Sequence, residues 1–305
     1  MEKILRLNPA LKDYIWGEDR LKAYFPTSLE RVAEAWVCAC HSDGKSTVAA
    51  GEYKGRTLEE VLSDNYSGSE AFPFLIKLID SKQFLSIQVH PDDDYAQKNE
   101  GQPGKTEMWY IIDADEGAGI YYGFKEKISR EEFCRHIEDN TLTDVLNFVP
   151  VRAGESYFIE AGTIHAIGSG LLIAEIQQNS NVTYRVYDYG RMGADGKPRE
   201  LHIKQALDVT KTEPATNKQA PPATAIGDGQ LTMLADCRYF KVQRLTLDGQ
   251  AVLDLPDKHT ALLVVSGEGM ISEGDAFKQN DCFYLPSDTE RIGIFGKCEL
   301  LFVSA

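Results

Sequence analysis

Residues 84–110, FLSIQVHPDDDYAQKNEGQPGKTEMWY, and the segment GTIHAIG at 162–168 contain Gln88, His90, Glu107 and His165, a set of side chains able to ligate one metal ion. The argument is geometric. Alternate residues of a strand project to one face, and the apolar LSIQV run reads as a strand, so Gln88 and His90 can reach the same ion. A second strand, EMWYIID, opens with Glu107, and a third, SYFIEAGTIHAI, carries His165 at its turn. One amide, two imidazoles and one carboxylate form a mixed nitrogen and oxygen donor set that suits zinc, iron or manganese. Neither ligand softness nor spacing selects zinc over iron, because two histidines and a carboxylate also describe non-haem iron oxygenase sites. The amide oxygen tilts the balance toward a non-redox Lewis acid.

The elements that must hold these residues are mostly strands. Two helices interrupt them with capping-box signatures: Thr57 with Glu60 opens a helix at about 57–66, and Ser129 with Glu132 opens a helical excursion at 129–147. A third helix, LHIKQALDVT at 201–210, closes the first unit, with Leu201, Ala206 and Leu207 among its apolar positions and His202 as a packing residue. Residues 211–230, KTEPATNKQAPPATAIGDGQ, lack apolar periodicity and read as a linker. The expected organisation is a domain over 1–210, the linker, and a second domain over 231–305. In that last part YFKVQRLTL, HTALLVVSGEG, DCFYLPSD and CELLFVSA alternate as short strands, and its one histidine, His259, makes a second metal site improbable.

Charge and composition narrow the function classes. With 47 acidic against 32 basic residues the chain carries a formal charge of -15, which disfavours nucleic acid or an anionic membrane as a partner. No apolar run reaches the roughly 18 residues of a membrane span, the start lacks a signal peptide's apolar core, and the cytoplasm is the expected location. The six cysteines, Cys38, Cys40, Cys134, Cys237, Cys282 and Cys298, form no Cys-x-x-Cys pair and read as buried free thiols. Asp92-Asp93-Asp94 lacks the spaced ligands and glycine of a calcium loop and reads as a solvated turn. Trp16, Trp36 and Trp109 read as core residues, with Trp16 in YIWG the best placed to stack on a bound ligand.

A histidine followed by Pro91 and Asp92, then a carboxylate, then Gly162-x-x-His165, resembles the paired motifs of a cupin barrel, with Glu160 where that fold usually has proline. The fold class this implies is mainly β: two cupin-like, jelly-roll barrels, with a few helices inserted in or flanking the first. The likeness is closer still in FPFLIKLIDSKQFLSIQVHPDD, GKTEMWYIID, AGTIHAIG, EIQQNSNVTYRVYDYGR and YIWG, which resemble a type I mannose-6-phosphate isomerase of the short bacterial kind over roughly residues 8–210. The resemblance, not the spacing, selects zinc, held by Gln88, His90, Glu107 and His165. It implies that Lys105 and Arg185 serve catalysis and that Ser86 and Arg191 lie where a sugar phosphate is held. Lys77 belongs to the same local basic island, which an anionic substrate needs on so acidic a chain. Departures include Gly104-Lys105-Thr106-Glu107, where long-chain relatives tend to have His-Lys-Pro-Glu, and Ala35, where serine is common.

The implied chemistry is consistent with such a site. Aldose and ketose phosphates interconvert when a proton moves between C2 and C1 through an enediol, whose developing oxyanion needs a Lewis acid or cationic donors. Lys105 and Glu175 are both candidates for the base. The expectation is therefore a one-zinc mannose 6-phosphate isomerase acting on a small phosphorylated sugar. The alternatives are an iron oxygenase, a sugar-phosphate-binding cupin without catalysis, and a cupin metalloenzyme acting on another sugar. The sequence sets no oligomeric state.

Overall fold

Ile87 and Val89 are buried in an apolar cluster with Phe124, Phe133, Val182, Tyr184, Val186 and Ala206, so the intervening Gln88 is turned to the opposite face of its strand. That alternation sets the architecture. The structure, a computed structural model, describes residues 4–65, 72–193, 196–217, 220–256 and 258–305. Its contacts divide the chain into two units that are not consecutive in sequence: 1–11, 35–77 and 219–305 form one, and 12–34 with 78–218 form the other.

The second unit is a barrel of two antiparallel layers. One is a five-stranded sheet in the order Leu146–Pro150, Gly119–Phe124, His165–Ile167, Ile87–Val89, Tyr184–Tyr187. The other contains Ser156–Ile159, Glu107–Ala114 and Leu171–Gln178 as neighbours. Trp109, Ile111, Ile120, Ile167, Leu171 and Ile173 fill the space between them. On the outer face of the five-stranded sheet, Phe133 of helix Arg130–Glu138 and Ala206 of helix Ile203–Val209 complete the cluster around Ile87 and Val89. The helices thus cover one face of the sheet and leave the other to the barrel interior.

In the other unit a nine-stranded antiparallel sheet is built mainly from the long strands Lys241–Asp254, Thr260–Ile271 and Arg291–Ser304. Its core runs through Leu245, Leu262, Val264, Phe283, Ile294 and Leu300. The N-terminal strand Leu5–Asn8 pairs with Cys282–Leu285. The mainly β, jelly-roll class with few helices is the class observed.

Local expectations meet the structure at their signals. Thr57 and Glu60 exchange side-chain and backbone hydrogen bonds of 2.9 and 3.2 Å at the start of helix Leu58–Asn65; position 66 lies outside the described residues. Ser129 and Glu132 form a full capping box, but the excursion ends early: after the one-turn helix Leu142–Val145, Leu146 begins a strand. Leu201 precedes helix Ile203–Val209 and is exposed rather than part of an apolar face. The segment 211–230 is not wholly linker. Thr224–Ile226 and the strand from Gly229 form a hairpin about Gly227 and Asp228, with Gly227 at φ 53°, a turn signal that the polar flanks obscured. Asp92 caps helix Asp93–Glu100 by accepting from the Tyr95 amide at 2.9 Å, so the acidic run is a helix start, not a turn.

Candidate metal centre

Strand pairing brings the expected ligands together. Gln88 is directly opposite His165 in the antiparallel register, His90 follows two residues later, and Glu107 opens the strand Glu107–Ala114 of the facing layer. His90, Glu107 and His165 are all buried, and their ligand atoms lie within 4.8 Å of one another. Among the described residues this is the one such group. Each imidazole Nε2 is 3.5 Å from a Glu107 carboxylate oxygen, one on Oε2 and the other on Oε1.

Backbone carbonyls fix both rings. His90 Nδ1 donates to the Val182 carbonyl at 2.9 Å and His165 Nδ1 to the Thr163 carbonyl at 2.8 Å. A carbonyl only accepts, so the neutral rings carry their protons on Nδ1 and present Nε2 lone pairs to Glu107. Burial pushes the His165 imidazolium down to about 4, which keeps the ring neutral as metal ligation requires. Its Nε2 is buried without a hydrogen-bond partner among the described residues. A buried orphan acceptor beside a carboxylate and a second acceptor is a donor set suited to a cation, so the residues fit a metal ion.

Lys105 occupies this convergence. It is 3% exposed, its Nζ donates to His90 Nε2 at 3.0 Å and to Glu107, and Glu175 Oε1 lies 3.8 Å away. Glu175 in turn accepts from Trp109 Nε1 at 3.0 Å, and the Trp109 ring stands edge-on to His165 at 5.3 Å. The loop carrying Lys105 is tied down. Gly104 donates to Asp93 at 2.9 Å, the Lys105 amide to the Pro91 carbonyl at 3.0 Å, and the Thr106 amide to Gln178 Oε1 at 2.8 Å. A Cβ on Gly104 would come within 2.4 Å of the Asp92 backbone, so glycine is needed there. A proline at 106 would lack the N–H given to Gln178, which accounts for the departure from His-Lys-Pro-Glu. Glu160, in the place usual for proline, is exposed and pairs with Lys211 at 2.6 Å.

A model of the phosphomannose isomerase type I catalytic domain matches residues 4–116. Mannose-6-phosphate isomerase ManA of Bacillus subtilis strain 168 is 37% identical over 308 residues, 97% of either chain. The chain belongs to the mannose-6-phosphate isomerase family. The crystal structure of a Bacillus subtilis mannose 6-phosphate isomerase aligns over the whole of both chains with a TM-score of 0.92 and 35% identity. A zinc-bound mannose 6-phosphate isomerase aligns at 0.79 with 16% identity, covering 99% of either chain, and shares the fold.

Other residues expected from the sequence of this family member take two kinds of position. Arg185 is opposite Gln88 on the next strand, donates to the Glu200 carbonyl at 3.0 Å and has a buried Nε with no partner among the described residues. Ser86 Oγ donates to Gln88 Oε1 at 3.2 Å. Arg191 donates to the Phe84 carbonyl at 2.6 Å and to Asp188. Trp16 is buried, stacked on Tyr14 at 5.6 Å and packed into the barrel core. The Lys77 ammonium is buried 5.0 Å from the Trp36 ring, and Lys77 belongs to the other unit. The strand that carries Arg185 ends at Tyr187, and Tyr189 takes a left-handed φ of 56°. Sequence reasoning passed over Trp109 as a partner of Glu175, and Asp188 and Arg199 altogether.

Proposed function

We propose that the chain is a zinc-dependent aldose–ketose isomerase that interconverts mannose 6-phosphate and fructose 6-phosphate through an enediol, with one zinc per chain. The observation that carries this reading is the convergence of two Nε2 lone pairs on the buried Glu107 carboxylate, beside a buried lysine. His90, Glu107 and His165 would hold the ion with Gln88, whose Oε1 is oriented by Ser86. When bound, zinc supplies a Lewis acid for the negative charge that develops on the sugar oxygens.

The remaining work falls to side chains of this chain. Lys105 and Glu175, 3.8 Å apart, form the proton-handling pair: one takes the C2 proton as O1 is protonated to give the enediol, and the same pair returns a proton to C1 as O2 gives up its own, which leaves the ketone at C2. Trp109 holds Glu175 in place by its indole N–H. Arg185 faces the developing charge as a fixed cation, and Ser86 and Arg191 hold the anionic end of the substrate. The barrel core around Trp109 and Ile173 keeps the proton transfer from bulk water. Six unpaired cysteines support a cytoplasmic location, and no described helix is long and apolar enough to cross a membrane.

The test is a coupled assay of mannose 6-phosphate conversion on protein whose metal content is measured, alongside His90→Ala. Activity that tracks zinc and disappears in the variant is the expected result. A fully metallated protein that turns over no mannose 6-phosphate would overturn the reading.

A further inference from the structure

Asp188 is 5% exposed and is gripped by two arginines from one side of the barrel unit. Arg199 engages it with two nitrogens at once, Nε to Oδ2 at 2.7 Å and Nη2 to Oδ1 at 2.5 Å. Arg191 donates to Oδ1 and, through Nε, to the Asp188 carbonyl at 3.3 Å. The Arg191 guanidinium also lies 5.3 Å from the centre of the Tyr189 ring. Arg185, three residues before Asp188, brings a third guanidinium with its buried, unpartnered Nε. The Glu200 side chain is exposed, its carbonyl accepts from Arg185, and its negative charge acts on the same guanidinium.

Charge makes this arrangement unusual. Among the described residues, three guanidiniums share one buried carboxylate and the exposed Glu200 carboxylate near Arg185, which leaves a local positive excess on a chain whose formal charge is -15. One carboxylate cannot saturate the donors, since each guanidinium carries five N–H groups in a fixed fork. Carbonyls of Phe84, Asp188 and Glu200 take further donors, yet Arg185 Nε is left over, and a phosphate dianion, which takes guanidinium forks through two oxygens at a time, matches such a group.

Resting on the function proposed above, we infer that Arg199 is a third phosphate-selecting arginine and that Asp188 is the positioning residue that holds Arg191 and Arg199 as one claw for the phosphate of the substrate. Asp188 touches no substrate. It fixes two long side chains that would otherwise lose conformational freedom on binding, so the ordering cost falls on folding.

The experiment compares the zinc-loaded wild-type protein with Arg199→Gln, Arg199→Lys and Asp188→Asn. Two readouts are taken: the affinity for inorganic phosphate by calorimetry, and KM with kcat/KM for mannose 6-phosphate against unphosphorylated mannose. Loss of a charge-assisted fork is expected to weaken phosphate binding and raise KM for mannose 6-phosphate by roughly ten- to a hundredfold in Arg199→Gln. The preference for the phosphorylated sugar should fall by a similar factor, with Arg199→Lys recovering part of it because charge without the fork remains. Asp188→Asn should raise KM more than it lowers kcat. Phosphate affinity and KM within twofold of wild type in Arg199→Gln would overturn the inference, even if Asp188→Asn fails to fold. If the wild-type protein does not isomerise mannose 6-phosphate, the proposed function fails, while the phosphate titration still decides the claw.

Discussion

Gln88 and His165 are directly opposed across two antiparallel strands, and the same Gln88 is opposed to Arg185 on its other side. One short strand therefore sets an imidazole, the Gln88 amide and a cation in a single row. Because side chains alternate faces, a slip of one residue in this strand would turn Gln88 and His90 outward together. The buried Ile87 and Val89 prevent that slip, so packing on the outer face of the sheet fixes which side chains face the barrel interior.

Removing the metal should cost both activity and stability. Dialysis against a chelator is expected to abolish turnover and lower the melting temperature, and zinc should restore both. At free zinc a thousandfold above its dissociation constant, the stabilisation from binding is about 4 kcal/mol. Calorimetric melts with and without zinc check this, and equal melting temperatures would count against a resident ion.

Glu107→Gln removes the anion shared by both imidazoles and Lys105. Zinc affinity should fall by about two orders of magnitude or more, since a charged ligand is lost as well as the second-ring contacts it organises. Competition with a fluorescent zinc chelator measures it directly.

Lys105→Met keeps the length of the side chain and removes its charge and protons. With zinc bound to the variant, kcat is expected to drop by about 10²–10⁴. Metal content close to wild type together with that loss would identify a proton-transfer role; a parallel loss of zinc would point to a structural one.

Trp109→Phe deletes the indole N–H donated to Glu175 and leaves most of the ring packing. A buried carboxylate that loses a donor costs about 1–3 kcal/mol, read from denaturant unfolding. Losing a bond to the charged form raises the carboxyl pKa, so if Glu175 acts as the base, the acid limb of the kcat profile should move to higher pH. An unmoved acid limb with the same loss of stability would assign Glu175 to packing.

The thiols should be inert in the folded protein. Burial pushes Cys40 up to about 12 and Cys298 to about 11, and raises Cys38 with Cys282 beside it. A thiol reagent at pH 8 is expected to label at most the half-buried Cys134 and Cys237 before denaturation, and all six cysteines after it.

Much of the site was legible because it rests on alternation. Gln88 lies on a strand with His90 one position past its end, and Glu107 and His165 begin strands, so residue type and period were enough. What orients them was not legible. Val182 and Thr163 contribute only carbonyls, which any residue supplies, and the Trp109 contact with Glu175 crosses two strands 66 positions apart. SYFIEAGTIHAI reads as one strand with a turn, yet Ser156–Ile159 and His165–Ile167 lie in different sheets, with Gly162 at φ 88° between them. The Arg199 partnership with Asp188 depends on how the intervening chain folds back, which no periodicity reports.

The pairing of Leu5–Asn8 with Cys282–Leu285 bears on how the chain is made. Arg6 and Asp281 form an ion pair 275 positions apart, so the strand made earlier waits for one made much later. At about 5–20 residues per second that wait is on the order of tens of seconds, during which its edge is unmatched. The unit that carries His90, Glu107 and His165 combines 12–34 with 78–218, so its main strands can close before the strands that complete the other unit are made. Assembly of the catalytic unit is thereby largely released from the slowest closure in the molecule.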